Sequence, residues 1–149
     1  MASYTNLLYH LVFSTKRREP LLHADLRPRL IEYLGGGIRD EKGIALGIGG
    51  TADHVHMLAK LRQDNAVSDV VRGIKANSSG WIHRTFPELQ HFAWQEGYGA
   101  FTVSQSQVEG VKEYIRNQEK HHQKLTFQEE LVKLLRALGI EFDETYLWD

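Results

Sequence analysis

Four residues have the types and spacing for chemistry. His54 and His56 lie in Gly49-Gly50-Thr51-Ala52-Asp53-His54-Val55-His56-Met57-Leu58-Ala59-Lys60-Leu61, a glycine-rich turn that becomes an alternating run. Residues two apart on a strand share a face, so the two imidazoles point one way and Val55 and Met57 the other. Two imidazoles side by side on a strand make half of a metal site, although an isolated His-x-His is as often a pair of incidental surface histidines. The other two are Tyr114 and Gln118, four apart in Val111-Lys112-Glu113-Tyr114-Ile115-Arg116-Asn117-Gln118. From Ser106 onward the pattern is helical, with Val108, Val111, Ile115 and His122 on one stripe. Tyr114 and Gln118 then sit one turn apart beside that stripe. A tyrosine there commonly packs against a neighbour; the company of His-x-His raises the prospect of a nucleophile.

The elements that must position these groups follow from the rest of the chain. Asn6 to Thr15 reads as a largely buried strand carrying His10 mid-strand, a core or near-site histidine rather than a third ligand. Lys16-Arg17-Arg18 at its exit is either a phosphate grip or a solvated loop. A helix follows, with Leu26, Leu30, Ile31 and Leu34 at helical spacing, and Gly35-Gly36-Gly37 reads as its break. Gly43–Gly49 and His54–Arg62 form a hairpin. Asn65 or Ala66 to Phe86 is a second helix, ended by Pro87, with Arg72, Lys75 and Ser79 off its apolar stripe. Those three are a possible backbone-binding surface or an ordinary solvated face. Phe92 to Ser104 is extended and aromatic-rich, with Gly97 and Gly99 flanking Tyr98 at a bend or close backbone approach. After the Tyr114 helix, Thr126 and Glu129 form a capping box for a last helix, Phe127 to Leu138, ended by Gly139. An aromatic tail over Ile140 to Asp149 is expected to dock on a surface. The first six elements predict an α+β fold, a ferredoxin-like βαββαβ antiparallel sheet with additional C-terminal helices. In it the first and third strands are central neighbours.

Composition narrows the classes. The 149 residues suit one domain, 1–149, in which 125–149 is a C-terminal helix and tail. There are no cysteines, which removes disulfides, thiolate catalysis and cysteine zinc sites and fits a cytoplasmic protein. No apolar run approaches the roughly 20 residues of a membrane span, and the N-terminus lacks a signal-peptide pattern. The net charge of −1 argues weakly against a general nucleic-acid binder. That charge is unevenly spread, since residues 1–124 carry +3 and residues 125–149 carry −4.

Tyr9-His10-Leu11-Val12-Phe13-Ser14-Thr15-Lys16, Asp53-His54-Val55-His56-Met57-Leu58, Trp94-Gln95-Glu96-Gly97-Tyr98-Gly99-Ala100-Phe101 and Tyr114-Ile115-Arg116-Asn117-Gln118 together resemble the single-tyrosine HUH transposases of small bacterial insertion sequences, including the REP-associated tyrosine transposases. The resemblance covers nearly the whole chain, and His54-Val55-His56 fits the His-hydrophobe-His name. It implies His54, His56 and Gln118 as metal ligands and Tyr114 as the nucleophile. It also implies a homodimer whose tyrosine helix can serve either subunit's histidines. Without a thiolate, Mg²⁺ or Mn²⁺ suits such a set better than structural zinc. The implied activity is cleavage and rejoining of single-stranded DNA at hairpin ends through a 5′-phosphotyrosine. Lys16, Arg17, Arg18, Arg72 and Lys75 are the candidate DNA-backbone contacts. Two other readings stay open: a non-catalytic nucleic-acid-binding module, or a host-domesticated enzyme acting on palindromic genomic repeats.

Overall fold

The computed structural model describes residues 1–148. Its four strands are β1 (Leu7–Ser14), β2 (Ile44–Gly50), β3 (His54–Leu61) and β4 (Gly99–Thr102), all paired antiparallel in the order β2-β3-β1-β4. Helices α1 (Arg27–Asp40) and α2 (Val67–Thr85) are the two crossovers, so the α+β ferredoxin-like topology read from the sequence is the observed one. Helices α3 (Val108–Arg116), α4 (Gln118–His121), α5 (Phe127–Ala137) and α6 (Glu144–Leu147) follow.

Alternation along the central strands sorts side chains onto two covered faces. Leu11 and Phe13 of β1 and Val55, Met57, Ala59 and Leu61 of β3 join Leu30, Leu34 and Ile38 of α1 and Val70, Val71 and Ile74 of α2 in the main core. On the opposite face, Leu8 and Leu58 pack with Val108 and Ile115 of α3, while Val12 and Phe101 pack with Phe127 and Leu135 of α5. His10, His54 and His56 share this second face, beneath the C-terminal helices.

Three expectations are corrected. Gly35-Gly36-Gly37 does not break α1, which runs on through Asp40. A Cβ at Gly35 would lie 3.6 Å from Ile48 and one at Gly37 3.5 Å from Ile74, ordinary packing distances, and the buried Leu34 and Ile38 on either side carry the helix through the triplet. The Tyr114 helix is interrupted at Asn117, whose φ −96°, ψ 20° separates α3 from α4. The extended 92–104 segment is a strand only over Gly99–Thr102, preceded by a single bridge from Trp94 to Thr15. Thr126 and Glu129 do form the capping box of α5. The tail docks as expected: Phe142, Leu147 and Trp148 pack on the α5 cluster, and the Arg18 guanidinium lies 5.3 Å from the Trp148 ring centroid. Asp149 lies outside the described residues.

Candidate active site

β3 sets His54 and His56 on one face, both fully buried. Each is oriented through Nδ1. His54 Nδ1 is 2.7 Å from Asp53 Oδ1, and the Thr51 hydroxyl donates to the same carboxylate oxygen at 3.0 Å. His56 Nδ1 is 2.8 Å from His10 Nε2 on the neighbouring strand. The Nε2 atoms of both rings therefore face the C-terminal helices.

Close approach of α3 to the hairpin brings in the next two groups. Gly49 makes it possible: a Cβ there would lie 2.4 Å from the Ile115 carbonyl oxygen. From α3, Tyr114 turns toward His56, with ring centroids 5.7 Å apart. The break at Asn117 leaves Gln118 buried under the sheet, its Oε1 3.0 Å from His54 Nε2. Tyr114, Gln118, His54 and His56 thus converge within one polypeptide.

Two neighbours were not singled out by the sequence. Glu130 of α5 is 4% exposed and places Oε1 3.0 Å from His56 Nε2, 3.1 Å from His122 Nε2 and 3.4 Å from His54 Nε2. Its Oε2 accepts from the Tyr114 hydroxyl and, at 3.2 Å, from Gln118 Nε2. His122, which the sequence placed only on the helix stripe, meets the His54 ring edge to face, with centroids 4.4 Å apart. The available signal was an acid inside an apolar stripe: Glu130 shares its helix face with Phe127, Leu131 and Leu134.

Charge in the site follows these contacts. Burial opposes protonation of His54, but hydrogen bonds to Asp53, Glu130 and Gln118 overcome it and raise its pKa to about 9. Burial pulls His10 down to about 3, reinforced by His56, and burial also lowers His56. Glu130 is penalised by burial, yet the histidines around it hold its carboxyl far below the usual range. Burial and then Glu130 push the Tyr114 phenol well above its ordinary value.

The donor set suits a divalent cation. His54, His122 and Glu130 offer one atom each within 4.8 Å of one another, so this group could hold a metal. His122 Nε2 is buried and, despite its proximity to Glu130, has no hydrogen-bond partner among the described residues. A cation would satisfy it.

Of the basic candidates, Arg17 and Arg18 lie beside this cluster. Lys16, Arg17 and Arg18 form a 3₁₀ turn at the exit of β1, with Arg17 and Arg18 at positive φ. Arg17 and Arg18 line a groove with Thr51, Asp53, His122 and Lys124. Arg72 is exposed and paired with Asp69. Lys75 donates to the backbone carbonyls of Gln95 and Gly97, at 2.6 and 2.7 Å, and so braces the 95–97 loop.

Residues 3–118 match the family described as "Transposase IS200 like". The ISDra2 transposase TnpA of Deinococcus radiodurans is 26% identical over 118 residues, 75% of this chain and 84% of that protein. The transposase for insertion sequence element IS200 of Salmonella typhimurium is 27% identical over 119 residues, 76% of this chain and 77% of its own. The crystal structure of a candidate transposase from Deinococcus radiodurans R1 superposes with a TM-score of 0.66 at 25% identity, covering 79% of this chain and 95% of that one. A REP-associated tyrosine transposase bound to a REP hairpin shares the fold, with a TM-score of 0.61 at 18% identity over 82% of this chain and 74% of the other. Fold and sequence together place the protein among the DNA transposases. The chain belongs to the IS200-like transposase family.

Proposed function

We propose that this transposase cuts and rejoins single-stranded DNA at insertion-sequence ends through a 5′-phosphotyrosine on Tyr114, with a divalent ion, Mg²⁺ or Mn²⁺, held by His54, His56 and Gln118. The observation that carries this reading is the convergence of the Tyr114 hydroxyl, Gln118 Oε1 and the two Nε2 atoms in one buried cluster. Held there, the ion would supply charge stabilisation to the scissile phosphate.

The remaining chemistry belongs to the chain. Tyr114 Oη attacks phosphorus, the Tyr O–P bond forms, and the P–O3′ bond breaks with its electron pair leaving on the 3′ oxygen. Only roughly one free tyrosine in a thousand is phenolate at pH 7. Without metal the surroundings of Tyr114 disfavour the phenolate further, and Glu130 Oε2 is the acceptor already in contact with its proton. The 3′ oxygen takes up a proton as it departs. Reversal by a 3′-hydroxyl rejoins the strand without ATP, because the phosphotyrosine retains the bond.

The DNA partner is proposed to be hairpin-bearing single strands, as in the neighbour bound to a REP hairpin. Arg17 and Arg18 beside the site are the first candidates for the flanking phosphates. We place the protein in the cytoplasm as a homodimer; no described helix is long and apolar enough to cross a membrane.

The test is a covalent-adduct assay with a labelled pool of single-stranded hairpins bearing random flanks, run in Mn²⁺ or EDTA on a denaturing gel. A metal-dependent adduct that disappears in Tyr114→Phe is expected. An adduct retained in Tyr114→Phe would sink the mechanism, and EDTA-insensitive binding without an adduct would make the protein a binding module.

A further inference from the structure

We infer that the segment beyond the family match supplies two further ligands, His122 and Glu130, to the same ion that His54 and His56 hold. The inference rests on the metal-dependent reading above and extends it to residues outside 3–118.

The geometry points there independently of any relative. A six-coordinate Mg²⁺-like ion binds its ligands at about 2.0–2.1 Å, so adjacent ligand atoms stand about 3 Å apart. His54 Nε2 to Gln118 Oε1 is 3.0 Å. Glu130 Oε1 lies 3.0 Å from His56 Nε2, 3.1 Å from His122 Nε2 and 3.4 Å from His54 Nε2. Each of these distances fits an edge of such a coordination polyhedron, and together they include both residues of the later segment. His122 Nε2 is the buried nitrogen without a hydrogen-bond partner. Glu130 is a buried carboxylate on an otherwise apolar helix face, and it meets the three imidazoles of His54, His56 and His122 there rather than solvent.

The consequence is a different site from a three-ligand one. Five protein donors, His54, His56, Gln118, His122 and Glu130, leave one position of an octahedral ion for a phosphate oxygen. Three imidazoles with one carboxylate and one amide oxygen make a borderline set, better suited to Mn²⁺ than to Mg²⁺. Because Glu130 Oε2 holds the Tyr114 hydroxyl, the same side chain fixes the nucleophile relative to the ion. The docking of α5 thereby becomes a requirement for metal binding.

A competing arrangement has the Glu130 carboxylate merely occupying the place of the ion, so that metal must expel it. The two differ in sign. Mn²⁺ would be titrated calorimetrically into wild type, Glu130→Gln, His122→Ala and His54→Ala without DNA. Amide exchange of residues 127–137 would be followed in wild type with and without Mn²⁺. We expect one Mn²⁺ per chain, affinity at least about tenfold weaker in Glu130→Gln and in His122→Ala, and slower exchange across α5 when Mn²⁺ binds. Equal or tighter binding by Glu130→Gln, or faster exchange of α5 on adding Mn²⁺, overturns the proposal while leaving the His54/His56 site standing. Absence of Mn²⁺ binding in wild type overturns both. The exchange measurement uses the native chain, so it decides even where a variant fails to fold.

Discussion

His10 of β1 and His56 of β3 meet ring to ring across the sheet, Nε2 to Nδ1 at 2.8 Å, with centroids 5.0 Å apart. Both are buried, and Glu130 accepts from His56 Nε2. In the metal-free chain His56 then carries its proton on Nε2, and His10 donates to Nδ1. Metal at His56 Nε2 requires the other tautomer, in which His56 Nδ1–H donates to His10. The pair thus couples the tautomer of His56 to that of His10 and orients the ring proposed as a ligand. Partners of this kind are worth about 10–100-fold in metal affinity. His10→Ala should weaken Mn²⁺ binding by that factor in calorimetry, and His10→Gln, which retains a donor and an acceptor, should recover part of it. Equal binding in all three proteins would remove His10 from the site.

The metal-free protein should be most stable near neutrality. The folded-state pKa of His54, about 9, lies above its ordinary 6.5. Its stabilisation is therefore complete below 6.5 and disappears as pH rises through about 9. His10 has the opposite sign. Its pKa is drawn down to about 3, so folding loses stability as pH falls below 6.5 toward that value. Urea unfolding in EDTA across this range should trace both limbs. Asp53→Asn should flatten the alkaline limb, since the Asp53 carboxylate is the first of the hydrogen-bond partners that raise His54.

Gly49→Ala should cost about 1–3 kcal/mol, the ordinary range for overpacking. The added Cβ meets the Ile115 carbonyl oxygen, which is backbone and cannot rotate away. Relief requires α3 to lift off β2, taking Tyr114 and Gln118 with it. Denaturant unfolding should show the loss, and Mn²⁺ affinity should fall although no proposed ligand has changed.

Thr126→Ala should remove about 1 kcal/mol from α5, because its hydroxyl caps the Glu129 amide and Glu129 reaches back to the Thr126 amide. Amide exchange over residues 127–137 should accelerate before that of β1 and β3. With Glu130 on the same helix, Mn²⁺ binding should weaken in parallel.

Features fixed by local spacing were legible without coordinates. A strand period of two sets His54 and His56 on one face wherever that strand lies, and the Thr126-to-Glu129 spacing makes a capping box in any context. The order of strands and helices was enough for the ferredoxin-like sheet. Tyr114 and Gln118 were legible as a pair, but their meeting with the histidines depends on Gly49 admitting α3 and on the break at Asn117. The glycine triplet misled because local propensity penalises glycine in a helix, whereas burial of Leu30, Leu34 and Ile38 in the main core holds the helix through it. The pairing of His10 with His56 needed the β1–β3 register, in which Val12 faces His56 and His10 faces Leu58. The arrival of Glu130 needed α5 to fold back over the sheet and bring it to His56 of β3, 74 positions away in the chain. No local pattern encodes that distance; it is decided by which apolar surface Phe127 and Leu135 find to cover, and they find Val12 and Phe101.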